Sequence, residues 1–293
     1  MNIDTSRPEL ATPGLVQRYQ EQGFVVVKDA ITSADIDALR AETVRICRGD
    51  RGDVTGRFTR AGAEEADEDV IRRYLCIHMV HKMSPVMREA LSPPAVVDVL
   101  TQVIGPDVKA MQSMLFIKAE GKPGQAWHQD EKFIPTRDRS LTSAWIALDD
   151  ATTENGCLWV LPGSHRPGVI YPDREHDDVR FDCTVESFDF PYRDEDAVPV
   201  ELPAGAAIVF NGYLLHRSLP NRSRRGLRRS LANHYMSASS LLPWHRPAEG
   251  QAMAMTDYRD IVMVAGKDPY AWKGFEDIAR PHVRPDREGG CDR

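Results

Sequence analysis

Trp127-His128-Gln129-Asp130 lies between the turn-forming run Gly121-Lys122-Pro123-Gly124 and two short apolar segments, Ala144 to Leu148 and Cys157 to Leu161. Glycine and proline punctuate a chain, and short apolar runs set between such signals read as strands. His128 and Asp130 stand two apart, so an extended segment turns both side chains to one face. An imidazole and a carboxylate on one face supply two of the three ligands of a 2-His-1-carboxylate facial triad. That donor set leaves positions on a ferrous ion open. The third ligand must be a histidine distant in sequence, and His216, in Tyr213-Leu214-Leu215-His216-Arg217-Ser218, is the expected one.

The bare pattern is weak by itself. In a chain with nine histidines, about one or two His-x-Asp/Glu matches arise by chance. The second match here, His176-Asp177-Asp178, lies in the polar run Pro172 to Arg180 with no strand pattern beside it, and reads as a solvated loop. The surroundings of His128 set it apart. From Val108 onward, short β-like segments recur between Gly, Pro and Asp clusters: Met111 to Lys118, Ala126 to Asp130, Ala144 to Leu148 and Leu158 to Leu161. After the polar stretch Gly168 to Val198 they resume at Val200 to Leu202, Ala206 to Phe210, Tyr213 to His216 and Arg228 to Met236. Seven or eight such strands predict an antiparallel jelly roll.

Ahead of this region, the pattern predicts a helix over Leu15 to Gln22 ended by Gly23, and a strand at Phe24 to Val27. A second helix follows, capped at Thr32 or Ser33, with an apolar stripe of Ile36, Leu39, Val44 and Cys47. Val70 to Leu91 and Pro94 to Ile104 read as helices or helix fragments. The expected organisation is one domain over 1–293: a helical part at about 1–107, a jelly-roll core at about 108–240, and an extension at about 241–293. The polar loop Gly49 to Asp69 is long enough to be a lid or simply disordered.

A net charge of −7 argues against a nucleic-acid or anionic-membrane surface. No apolar run approaches a membrane span, and the N-terminus lacks the apolar core of a signal peptide. The five cysteines are odd in number and far apart. They fit neither a disulfide framework nor metal spacing, which predicts a reducing, cytoplasmic setting.

Several motifs agree with a known family in order and spacing. Gln112-Ser113-Met114 leads to His128-Gln129-Asp130, then come Trp145-Ile146-Ala147-Leu148-Asp149-Asp150 and Glu154-Asn155-Gly156-Cys157-Leu158. Pro162-Gly163-Ser164-His165 follows, then His216-x-Ser218-x-x-Asn221-x-Ser223 and Arg228-Arg229. From Gly23 to about Tyr235 the chain resembles the phytanoyl-CoA dioxygenase family of iron(II)- and 2-oxoglutarate-dependent oxygenases. The resemblance implies a double-stranded β-helix, mainly β with flanking helices, with iron at His128, Asp130 and His216. It implies 2-oxoglutarate and O2 as cosubstrates and a small-molecule substrate hydroxylated at an unactivated C–H, with release of succinate and CO2. Desaturation, epimerisation, ring closure or a non-catalytic metal-binding jelly roll are the alternatives.

The resemblance also places an arginine shortly after the distal histidine, to hold the far carboxylate of 2-oxoglutarate. Arg228 and Arg229 both qualify, because this chain has one residue more than the common spacing. Arg228 is the choice, since Arg228-x-Ser230 repeats the pairing seen in such enzymes. Ser218 shares the face of His216, and Gln112, Trp145 and Lys82 are the remaining expected pocket residues.

Overall fold

The computed structural model describes residues 14–54, 60–224, 226–244, 249–250 and 257–284. Part of the 49–69 loop, Arg57 within it, and the tail beyond 284 therefore lie outside the described residues. Helix α1 (Leu15–Gln22) ends at Gly23, whose φ of 87° is open to glycine at no steric cost. Strand β1 (Phe24–Val27) follows. Helix α2 (Ser33–Arg48) starts in a capping box: Thr32 Oγ1 accepts from Asp35 N, and Asp35 Oδ2 accepts from Thr32 N. Its buried face runs through Ile36, Leu39, Thr43, Ile46 and Cys47, with Val44 half-buried against the same core.

Next come α3 (Asp67–Ile71), β2 (Cys76–His78), α4 (Pro85–Glu89) and α5 (Pro94–Val103). Val70 to Leu91 does hold helix fragments, but β2 adds a strand that the reading of this stretch did not include. Three residues are too few to show a period, yet they pair along β3. The remaining elements are β3 (Val108–Lys118), β4 (Gln125–His128), the short helix α6 (Asp130–Phe133), β5 (Thr142–Ala147), β6 (Leu158–Val160), β7 (Asp173–Arg174) and β8 (Glu186–Ser187). They are followed by β9 (Val198–Val200), β10 (Ala207–Asn211), β11 (His216–Ser218), β12 (Arg228–Ser237), β13 (Val262–Ala265) and β14 (His282–Arg284).

Two antiparallel sheets form a jelly-roll-like body. The larger runs β1-β10-β5-β12-β3-β2-β14, with β13 also on β3; the smaller runs β4-β11-β6-β9. Strand residues of the larger sheet divide by parity. Ala144, Ile146, Ala207, Val209, Leu115, Leu231 and Tyr235 pack with the helices. Trp145, Ala147, Ile208, Phe210, Met114 and Ala232 face the smaller sheet. Both faces are buried, which is why these strands read as apolar runs and not as an alternation. A slip of one residue would exchange the two sets.

No helix among the described residues is long and apolar enough to cross a membrane. Cys47, Cys76 and Cys157 are free and buried, whereas Cys183 is disulfide-bonded, a pairing the spacing did not suggest.

Glu42 ties α2 to the chain beyond it. Burial alone would raise its carboxyl, but hydrogen bonds involving Arg51, Ser84 and Arg45 outweigh this and lower it to about 2. A folded-state value below the unfolded one contributes stability above about pH 4.5, and that contribution is lost as pH falls toward 2. Glu42→Gln should therefore cost about 1–3 kcal/mol at neutral pH, and the difference should close toward pH 2. Urea unfolding of both proteins across this range measures it; a constant difference would contradict the assignment.

Candidate metal centre

His128 closes β4, and Gln129 continues in extended geometry before Asp130 opens α6. Gln129 is pinned away from the site by three hydrogen bonds. Its Nε2 donates to Val169 O and Tyr213 O at 2.9 and 2.8 Å, and its Oε1 accepts from Tyr171 N at 2.9 Å. The neighbours on either side, His128 and Asp130, are thereby turned inward together, although only the first lies on a strand. His216 pairs directly opposite His128 in the register of β11 with β4. The two strands are held close at Gly124, where a Cβ would stand 2.0 Å from the Ser218 carbonyl.

Ligand atoms of His128, Asp130 and His216 all lie within 4.8 Å of one another, and all three residues are buried. Asp130 Oδ1 is 3.8 Å from His128 Nε2 and 3.6 Å from His216 Nε2. Each imidazole donates from Nδ1 to a backbone carbonyl, His128 to Ala126 O at 2.8 Å and His216 to Leu214 O at 2.9 Å. That bond fixes the tautomer and leaves the Nε2 lone pair directed at the common point. Burial, and then the neighbouring His216, push His128 down to about 3, so it is neutral at physiological pH. Burial alone would raise Asp130, but His216, His234 and His128 hold it well below the usual carboxylate range. Two imidazoles and one carboxylate on one side of a space fit an iron(II) facial triad. His176-Asp177-Asp178 is irregular chain, and Asp178 pairs with Arg180.

A cavity of about 180 Å³ opens from the triad between the sheets. Arg228, Ser218, Gln112 and Trp145 all line it, as expected. Arg228 is 2% exposed and lies with its guanidinium carbon 5.2 Å from the centre of the Trp145 ring. Its Nη1 donates to Ser230 Oγ at 2.8 Å, its Nε has no partner, and no carboxylate pairs with it among the described residues. Burial lowers it to about 10, which still leaves it cationic. Arg229 points to the opposite face, where its Nε and Nη2 each donate to Asp149 at 2.8 Å. Ser218 Oγ accepts from Lys118 Nζ at 2.9 Å and from Gln125 N at 3.2 Å, so its own proton is available to the cavity.

Lys82 is not part of this cavity. After Met79, at φ 59°, the chain forms a 3-10 turn over Val80–Lys82. There Lys82 pairs with Asp260 and, at 2.8 Å, with Asp277, both in the C-terminal extension. In its place stand residues that the sequence did not announce. His78 on β2 meets Gln112 Nε2 at 3.4 Å and stacks on His282. Arg284 on β14 meets Gln125 Oε1 at 3.3 Å and pairs with Asp182 at 3.6 Å. His234 follows Arg228, Ser230 and Ala232 at every second position of β12, and that parity was the one available signal.

Known proteins resemble this chain at both levels. A phytanoyl-CoA dioxygenase of Arabidopsis thaliana is 33% identical over 150 residues, covering 50% of this chain and 52% of the relative. The match thus spans about half the length of that protein. The peroxisomal phytanoyl-CoA dioxygenase of Rattus norvegicus is 31% identical over 231 residues, with 75% of this chain and 67% of the relative covered. In structure, a non-heme monooxygenase, ThoJ in its apo form, superposes with a TM-score of 0.66 at 22% identity over 94% of this chain and 91% of that one.

The relatives correct the cytoplasmic expectation, because those of rat, cattle, mouse and man are peroxisomal. Cysteine usage bears on how oxidising the surroundings are and does not name a compartment. The phytanoyl-CoA dioxygenase family model matches residues 19–230, a span that takes in the triad, Arg228 and every strand from β1 to β11; on that match the chain belongs to the phytanoyl-CoA dioxygenase family.

Proposed function

We propose that the chain is an iron(II)- and 2-oxoglutarate-dependent dioxygenase that hydroxylates an unactivated C–H of a small molecule, with release of succinate and CO2. The observation that carries this reading is Arg228, a buried guanidinium in the cavity of a facial triad with no carboxylate partner among the described residues. A buried cation is costly unless paired, and a planar fork suits a carboxylate. His128, Asp130 and His216 would hold the iron. Arg228 would bind the distal carboxylate of 2-oxoglutarate, Ser218 would donate a hydrogen bond to it, and Trp145 would wall the site against water. Gln112 lies on the neighbouring strand and would orient what binds beside the metal. Iron(II), when bound, supplies the oxygen activation that 2-oxoglutarate decarboxylation drives.

The finer fold reading is a double-stranded β-helix in a single domain, with the helical part at about 1–107, core at about 108–240 and extension at about 241–293. Strand order supports it. Among the eight opposed strands, the larger sheet contributes β10-β5-β12-β3 and the smaller β4-β11-β6-β9. Renumbered in chain order, these run 6-3-8-1 and 2-7-4-5, the winding of a jelly roll.

Uncoupled turnover tests the function without knowledge of the substrate. Protein loaded with iron(II) should release succinate slowly from 2-oxoglutarate under oxygen, and a small-molecule library should reveal compounds that accelerate it. A metal-binding jelly roll without activity would release none under any of these conditions.

A further inference from the structure

The two oxygens of Asp130 have different surroundings. Oδ1 faces His128 and His216. Oδ2 accepts from Ser143 Oγ at 2.6 Å and lies 3.4 Å from His234 Nε2. His234 on β12 and Ser143 on β5 are register partners, so one rung of the larger sheet carries both groups. His234 is 4% exposed, and its Nδ1 has no hydrogen-bond partner. Its Nε2 is the ring nitrogen that faces Asp130 Oδ2.

An apolar side chain would fill this place in the sheet without leaving a buried nitrogen unpartnered, so packing does not explain a histidine here. A carboxylate free to turn can offer either oxygen to a metal, or chelate through both. Ser143 Oγ already donates to Oδ2, and an Nε2–H of His234 at 3.4 Å would add a second donor there, leaving Oδ1 for the ion. Donation through Nε2–H also places the proton of His234 on the nitrogen nearest the triad, which keeps that nitrogen from acting as a fourth ligand.

We propose that His234 is a positioning residue which, with Ser143, fixes Asp130 as a one-oxygen ligand and holds the centre to three protein donors. This rests on the metal-centre reading above. Groups that orient metal ligands typically contribute ten- to a hundredfold in metal affinity.

The test is cobalt(II) binding to the full chain, followed by calorimetry and by the visible absorption of the bound ion. Folding of each metal-free variant is checked by circular dichroism. His234→Phe keeps a ring and removes the donor; it should weaken cobalt(II) binding ten- to a hundredfold and change the intensity of the absorption bands. His234→Gln restores an N–H donor and should return both to within about threefold of wild type. Binding by a folded His234→Phe protein within threefold of wild type would overturn the proposal. A Gln variant as weak as the Phe variant would also overturn it, as would loss of the fold in both, since His234 would then be a packing residue. Failure of the wild-type protein itself to bind cobalt(II) would instead count against the metal centre.

Discussion

Arg228→Ala should raise the dissociation constant for 2-oxoglutarate at least a hundredfold while iron(II) binding survives, and Arg229→Ala should leave that constant near its wild-type value. Neighbouring residues on a strand point to opposite faces, and here only Arg228 reaches the cavity. Removing one partner of a buried ion pair costs about 3–5 kcal/mol, and each 1.4 kcal/mol is about tenfold in affinity. Arg229 instead pairs with Asp149, which also holds Arg40 at 3.0 Å. Its truncation should therefore appear as lost stability, about 1–3 kcal/mol in urea unfolding, and not as weakened cosubstrate binding. A large effect of Arg229→Ala on 2-oxoglutarate would place the binding face on the wrong side of β12.

Asp130→Ala should abolish oxygenation and weaken iron(II) binding by more than about a hundredfold, beyond what loss of an orienting group alone produces. The site would keep its two imidazoles and lose its anionic ligand. It would also lose the acceptor for Ser143 and His234. Asp178→Ala is the matched control: its carboxylate pairs with Arg180 in an irregular segment, and neither metal binding nor turnover should change. Succinate release and iron(II) titration of both variants measure this. Activity retained in the Asp130 variant would remove it from the ligand set.

Local chemistry made much of this legible from sequence. Gly23 ends α1 and Thr32 with Asp35 begins α2, because cap residues act on their own neighbours. His128 was marked by its strand setting, although Asp130 itself opens α6. A period of two put Arg228 and Arg229 on opposite faces and Ser218 on that of His216, and the resemblance chose Arg228 and added Gln112 and Trp145. What escaped depends on contacts distant along the chain. β2 is three residues long and declares itself only by pairing with β3 and β14. Arg284 enters the cavity because the C-terminal strand returns to that sheet edge. Lys82 was misplaced for the same reason: Asp260 and Asp277, far along the chain, draw its ammonium away.

On the proposed function, one cavity would hold iron on His128, Asp130 and His216 and 2-oxoglutarate on Arg228. Anaerobic titration of 2-oxoglutarate into the iron(II)-loaded protein, followed by visible absorption, tests it most directly. A metal-to-ligand charge-transfer band should saturate at one equivalent in the wild-type protein, be absent in Asp130→Ala, and need at least about a hundredfold more 2-oxoglutarate in Arg228→Ala. No band in the wild-type protein, or the same saturation in Arg228→Ala, would contradict it.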